Sequence, residues 1–250
     1  MQRIYHKHLF LVFIFVLLYS TSANANRLIL ATDDGPPHMI KEIDGGIDID
    51  IVKQVLNQIG HDIDIIYVPL KRAELMVSHK KADVFVPTFF EQDNRNIYLS
   101  DPVISYKPMV FSLKNNSIFY KSISDLKKLS IVTFQGASGY FGEEFAKLSQ
   151  KSDYRELHDM AKFPDLLLKG RYDVVVLDFY IFYYFLKKLM SNKSQFAYKE
   201  IISFPLVPNV KAYAGFHDKA LRDKFNQQLS IFQQAKSDQK IVEYYIGTVN

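Results

Sequence analysis

The chain has 250 residues, 31 Lys and Arg against 27 Asp and Glu, a net charge of +4 and no cysteine. Without cysteine the protein has no disulfide, no thiolate chemistry and no thiol-ligated metal, so its stability has to come from the packed core. The charges are nearly balanced and no basic stripe with interleaved aromatic residues occurs, which argues against nucleic-acid binding.

The first 25 residues have the pattern of a secretory signal peptide. Arg3 and Lys7 precede the apolar run from Leu9 to Tyr19, and Ala23-Asn24-Ala25 follows it. A membrane span needs about 20 apolar residues, so this run is too short for one and predicts cleavage before Asn26. We therefore expect an exported protein of a Gram-negative periplasm; the alternative is an uncleaved N-terminal anchor.

The first part of the exported chain alternates between strand and helix patterns. We predict strands at 27–32, 64–68 and 83–86, helices at 47–59 and 72–80, and a loop at DDGPPHM, residues 33–39. Gly35-Pro36-Pro37 fits neither a helix interior nor a central strand, which places the loop there. Helices between successive strands require crossover connections, and these predict a mainly parallel sheet.

The alternation restarts at Ser124. We predict helices at 124–129, 143–149, 163–169, 218–234 and 238–246, strands at 130–134 and 174–177, and a loop at 136–142. KKADVFV at 80–86 and GRYDVVV at 170–176 echo each other, because each has an Asp that opens an apolar strand. This echo indicates two similarly built lobes.

Two extended segments punctuated by proline, 100–113 and 202–216, join the predicted lobes. If the chain crosses to the second lobe and returns, these segments form a hinge and leave a cleft between the lobes. We predict lobe 1 from 26–107 with 212–250 and lobe 2 from 108–211.

Few residues have the spacing that catalysis or metal binding requires. The five histidines after the signal are scattered, so we expect no metal site. Ser138 fails the G-x-S-x-G pattern of a nucleophile because Tyr140 stands where the second glycine should be. The Gly136–Gly139 loop could instead hold an anion through its backbone N–H groups, or could be an ordinary turn.

Two charged side chains have the chemistry of ligand contacts. Arg95 carries a guanidinium, whose geometry matches a carboxylate. Asp178 ends an apolar strand just before an aromatic, helix-length segment. It can cap that helix, or it can contact a ligand at the carboxyl end of the strand.

The order of these segments resembles the extracellular solute-binding proteins, family 3, which serve polar amino acid ABC transporters. The segments are LATDDGPPHM, GGIDIDIVKQVLNQIG, KKADVFVPT, LSDP, ISDLKKLSIVTFQGASG and KGRYDVVVLD. The match runs in register from Arg27 to Val249. It implies an α/β, two-lobed periplasmic binding protein-like (type II) fold, with mostly parallel sheets in each lobe and a two-segment hinge.

The resemblance also implies which residues bind the ligand. Arg95 would grip an α-carboxylate, and Asp178 would take the α-ammonium from the opposite lobe. Ala137 and Ser138 would help to hold the carboxylate. The other expected ligand contacts are Asp33, His38, Thr88 and Phe90. We expect no catalytic residue, no metal and no cofactor.

Three departures from the family pattern bear on the ligand and not on the fold. Phe90 replaces a threonine of the family, and the chain between Arg95 and Asp101 is slightly shorter than usual. His38 stands where the family usually has an aromatic residue after the double proline.

The expected function is capture of a small polar ligand, an amino acid or related zwitterion, for delivery to an ABC transporter permease by a monomeric binding protein. Two alternatives stay open. One is an enzyme on the same scaffold, similar to cyclohexadienyl dehydratases. The other is a ligand-sensing partner of a membrane receptor.

Overall fold

The computed structural model describes residues 27–89, 96–117, 120–151, 153–190 and 200–249. The strands are β1 (Leu28–Thr32), β2 (Ile63–Tyr67), β3 (Val84–Thr88), β4 (Tyr98–Leu99), β5 (Ile104–Tyr106), β6 (Pro108–Leu113), β7 (Ile131–Phe134), β8 (Tyr154–Leu157), β9 (Val174–Asp178), β10 (Ile201–Pro205) and β11 (Val210–Phe216). The α-helices are α1 (Ile47–Gln58), α2 (Leu70–Ser78), α3 (Ala137–Tyr140), α4 (Glu143–Ala146), α5 (Phe163–Leu168), α6 (Phe179–Met190), α7 (Lys219–Gln234) and α8 (Ser237–Ile246).

The strands form two sheets of the same design. The first has the order β2-β1-β3-β11-β4, with β5 also paired to β11, and the second has the order β8-β7-β9-β6-β10. In each sheet the central strand runs parallel to one neighbour and antiparallel to a strand that returns from the other half of the chain. The two-lobed fold class is confirmed, but the sheets are mixed rather than mostly parallel, because these returning strands add antiparallel pairs.

The predicted echo between the two halves is a real structural equivalence. Asp83 precedes β3 and accepts a hydrogen bond from the Ile29 N–H at 2.7 Å. Asp173 precedes β9 and accepts one from the Ser130 N–H at 2.8 Å. Each carboxylate therefore ties the start of a central strand to the parallel strand beside it.

The sheets divide the chain close to the predicted hinge. Strands of the first sheet come from residues 28–106 and 210–216, and strands of the second from residues 108–205. We keep the predicted lobe boundaries as a proposal and call the parts that carry the first and second sheets lobe 1 and lobe 2. One core cluster of buried apolar side chains runs through both, from Ile51 in α1 to Phe182 in α6 and Ile241 in α8.

Helix bounds follow the predictions to within two residues except around residue 140, and the helix predicted at 124–129 is a 3₁₀ helix, Ile123–Lys128. Residues 137–140 form a short helix rather than a loop, and the helix predicted at 143–149 ends at Ala146 and continues as a 3₁₀ segment, Lys147–Gln150. Asp218 caps α7 by accepting hydrogen bonds from the Ala220 and Leu221 N–H groups. No helix within the described ranges has both the length and the apolar character that crossing a bilayer requires.

Gly46 brings the proline-rich loop onto the start of α1. Its φ of 123° lies outside the conformations that a side chain allows easily, and a Cβ on Gly46 would come within 2.5 Å of the His38 carbonyl oxygen. The same carbonyl accepts a hydrogen bond from the Asp48 N–H at 3.0 Å. This close approach sets the His38 side chain beside the first turn of α1.

Candidate functional site

His38 lies between two carboxylates that belong to different lobes. Its Nδ1 is 2.7 Å from Asp48 Oδ1 and its Nε2 is 3.5 Å from Asp178 Oδ1. The His38 residue is only 1% exposed. Burial alone would lower the pKa of His38, but the charge of Asp48 and the hydrogen bonds to both carboxylates raise it from 6.5 to about 9. His38 is therefore a buried imidazolium at neutral pH.

Tyr106 completes the lobe 1 side of this cluster. Its hydroxyl donates to Asp48 Oδ2 at 2.9 Å, and its ring stacks on the His38 ring with 3.8 Å between centroids. Burial and the charge of Asp48 raise the pKa of Tyr106 well above its ordinary value of 10, so the hydroxyl keeps its proton. Asp48, which is fully buried, thus has a donor on each carboxylate oxygen.

Asp178 serves as the helix cap that its position predicts. Its Oδ1 accepts from the N–H groups of Tyr180 and Ile181, at 2.8 and 3.2 Å, at the start of α6. Its Oδ2 accepts from the Lys107 N–H in the hinge at 2.6 Å. This one carboxylate therefore connects the end of β9 and the N-terminus of α6 to the hinge.

A groove of about 490 Å³ lies beside the cluster and between the lobes. Its lining residues are Phe89, Tyr140, Phe141, Gly142, Val207, Pro208 and Val210. Phe89 packs edge-on against Tyr106, with 5.2 Å between ring centroids. Tyr140 lines the groove, and burial together with the charge of Asp178 raises the pKa of its hydroxyl. Among the described residues, no charged side chain lines the groove.

The Gly136–Gly139 loop, which we predicted could hold an anion, already binds a carboxylate of the same chain. The N–H groups of Gly136 and Ser138 donate to the Glu156 carboxylate at 2.8 and 2.9 Å. Burial opposes the charged form, but the hydrogen bonds from Tyr154, Gly136 and Ser138 hold the pKa of Glu156 at about 2. A ligand carboxylate would have to displace Glu156 from these donors. The expected ligand contacts of Ala137 and Ser138 stay predictions.

The remaining predicted ligand contacts are Thr88, Asp33, Arg95 and Phe90. Thr88 is buried at the end of β3, and Asp33 lies half-buried after β1, where its Oδ1 accepts from the Asp34 N–H. Arg95 and Phe90 lie outside the described residues. Their roles, like those of Thr88 and Asp33, stay predictions.

Sequence reasoning missed Asp48, Glu156 and Tyr140. Asp48 carried a usable signal: it stands on the buried face of the α1 pattern, where an acid among isoleucines requires a partner. Glu156 and Tyr140 carried no such signal, because the first lies in a short strand and the second in a segment predicted as loop. Tyr106 lies in a segment predicted as hinge, and its hydroxyl donates to Asp48.

Two similarly built α/β lobes with a hinge between them define the class of two-lobed solute-binding proteins. A family profile gives the particular family. Residues 28–248 match the bacterial extracellular solute-binding proteins, family 3. The chain belongs to this family, which confirms the resemblance seen in the sequence. Among curated protein sequences, no significant match is found.

Many solved structures share the fold at low sequence identity. An ancestral cationic amino acid solute-binding protein, AncCDT-1, superposes with a TM-score of 0.70 at 19% identity, over 88% of this chain and 96% of its own. The unliganded, open L-cystine solute receptor of Neisseria gonorrhoeae gives 0.69 at 15% identity, over 91% and 95%. A second structure of AncCDT-1, described as a precursor of cyclohexadienyl dehydratase, gives 0.60 at 19%, over 88% and 96%.

We predict that the stability of the protein falls at alkaline pH because His38 loses its proton. The pKa of about 9 in the folded chain exceeds the ordinary value of 6.5, so the folded state binds this proton more tightly. The contribution is complete below pH 6.5 and is lost as the pH rises through 9; in full it is on the order of 3 kcal/mol. Urea unfolding from pH 6 to 10 measures it. His38→Gln should flatten this slope, and His79→Gln, at an exposed histidine, should keep it; equal slopes in all three proteins would contradict the assignment.

We predict that Asp178→Ala lowers the free energy of unfolding by about 2–4 kcal/mol, because a buried cap and a charge-assisted hydrogen bond to the hinge are lost. Asp218→Ala is the matched control. Asp218 makes the same pair of cap bonds at an exposed helix start, so its loss should cost about 1 kcal/mol. Denaturant titration of both variants compares them. Equal losses would show that Asp178 is only a cap.

Proposed function

We propose that this protein binds a small organic solute, of amino-acid size, in the cleft between its two lobes. Closure would follow from contacts that the ligand makes in the closed state only. The observation that supports this proposal most directly is the groove of about 490 Å³ that residues of both lobes and of the hinge line together. A volume of this order suits a small ligand.

We further propose that the bound solute is delivered to an ABC transporter permease by a monomeric, exported binding protein. Family membership supports an extracellular solute-binding role. Signal-peptide cleavage before Asn26 and residence in a Gram-negative periplasm are part of the proposal. Ligand sensing through a membrane receptor is the alternative output, and co-purification with a permease would separate the two.

Arg95 keeps its proposed role as the group that holds a ligand carboxylate. Asp178 is proposed to shape the ligand site from lobe 2. The ligand expected from the sequence, an amino acid or related zwitterion, would need a place for its ammonium group at Asp178. His38 already supplies a cation there.

Catalysis is the second candidate, because AncCDT-1 is described as a precursor of cyclohexadienyl dehydratase. An enzyme of this kind needs a general acid or base that can exchange a proton with its substrate. Among the described carboxylates of the cluster, Asp48 is fully buried and Asp178 is bonded to three backbone N–H groups. These contacts favour binding over acid–base chemistry.

We predict that a thermal-shift screen of residues 26–250 against amino acids, amines and small organic acids yields a stabilising ligand. At a hundredfold excess over Kd the ligand should add about 2.7 kcal/mol of stability. Tyr140→Ala should weaken binding roughly tenfold, because it removes an aromatic wall of the groove. Tyr244→Ala, at an exposed tyrosine of α8, should bind as the unchanged protein does. Equal affinity in both variants would show that the groove is not part of the ligand site.

We predict that the purified protein does not consume prephenate or arogenate. The absorbance of the aromatic product, followed during incubation with each compound, measures turnover. The Asp178→Ala variant provides the blank for contaminating activity. Turnover that this variant lacks would replace the binding proposal with an enzymatic one.

A further inference from the structure

Most of the acceptor positions of Asp178 are occupied within the described chain. A carboxylate offers about four acceptor positions. Asp178 receives N–H donors from Lys107, Tyr180 and Ile181, and the fourth donor is the His38 ring. His38, Tyr180 and Ile181 share Oδ1, so without displacing one of these donors a ligand ammonium could use only the second position of Oδ2, beside the Lys107 N–H.

The His38 ring also fixes the sign of the charge beside Asp178. Both ring nitrogens face a carboxylate oxygen, Nδ1 towards Asp48 and Nε2 towards Asp178. A neutral imidazole has one N–H, so it could satisfy only one of these contacts, whereas the imidazolium donates to both. A second cation bound at Asp178 would lie next to this imidazolium in a buried site, where repulsion between like charges is strong.

The groove beside the cluster, which Phe89 joins to Tyr106, complements this arrangement with apolar surface. Phe89 and Tyr140 are 38% and 52% exposed, so their rings present surface that a ligand can cover. Phe141, Val207, Pro208 and Val210 supply the rest of the apolar wall. Covering such surface with an apolar group is favourable, whereas an ammonium group placed against it would lose part of its hydration.

We propose that His38 is a built-in cation in the place where Asp178 would hold a ligand ammonium, so that the cleft takes small apolar or aromatic compounds that lack an ammonium group. This inference rests on the proposed binding function, and it narrows the ligand class within it. His38 acts here as a specificity-determining residue, because it excludes the cationic end of an amino acid.

The test compares probes that differ in their charged groups alone. Phenylalanine, 3-phenylpropionate and 2-phenylethylamine share a phenyl ring and an ethylene unit. Titration calorimetry of residues 26–250 should show 3-phenylpropionate binding roughly tenfold or more tightly than either compound with an ammonium group. The strongest ligand of the screen is compared in the same way with its counterpart that has gained or lost an amino group.

A double variant tests whether His38 causes the preference. His38→Phe combined with Asp48→Asn keeps a flat ring against Tyr106 and leaves no unpaired carboxylate at position 48, while Asp178 loses its internal cation. Phenylalanine should gain at least roughly tenfold relative to 3-phenylpropionate in this variant. His79→Phe, at an exposed histidine, should keep the preference of the unchanged protein.

The outcomes separate the inference from the proposed function. If the unchanged protein binds the ammonium compound of a matched pair as tightly as its counterpart, the inference is overturned and the binding function stands. If the preference is present but the double variant keeps it, His38 is not its cause and the inference is likewise overturned. If no compound in the screen or the series binds, the binding function fails and the inference fails with it.

Discussion

The rest of the cleft depends on the ionic hydrogen bonds that the buried His38 imidazolium makes with Asp48 and Asp178. This imidazolium bridges Asp48 at the start of α1 and Asp178 at the start of α6, so it joins the two lobes through ionic hydrogen bonds. A buried ion pair is stable only when its members are fully hydrogen-bonded. Tyr106 and the backbone N–H groups at Asp178 meet that requirement.

This cluster is also connected to the hinge. Lys107 donates its N–H to Asp178, and its carbonyl accepts from the Phe179 N–H at 2.8 Å, so the crossing chain is anchored to the helix start. Any rearrangement of the lobes has to keep or break the contact between His38 and Asp178. The contact with His38 and the anchor of the hinge therefore depend on the same carboxylate.

The alternation of strands and helices, the two lobes and the family were all readable from the sequence, because apolar periodicity and turn residues act locally. The roles of Asp83 and Asp173 were readable for the same reason, since each opens a strand of the same pattern. The mixed character of the sheets was not readable from the sequence. It comes from the antiparallel pairs that β6 and β11 form with strands far away along the chain. The helix at 137–140 was missed because three glycines, Gly136, Gly139 and Gly142, lie within seven residues there.

The residues of the cleft were likewise predictable only in part from the sequence. The sequence by itself determined that Asp178 ends a buried strand and starts a helix, and that His38 follows a double proline in a loop. Only the tertiary structure decided that these two side chains meet, with Asp48 on the far side of the ring, across a separation of 140 residues. Helices and caps are specified by neighbours along the chain, whereas the charge and acceptor capacity of a buried site depend on which distant groups the fold places around it.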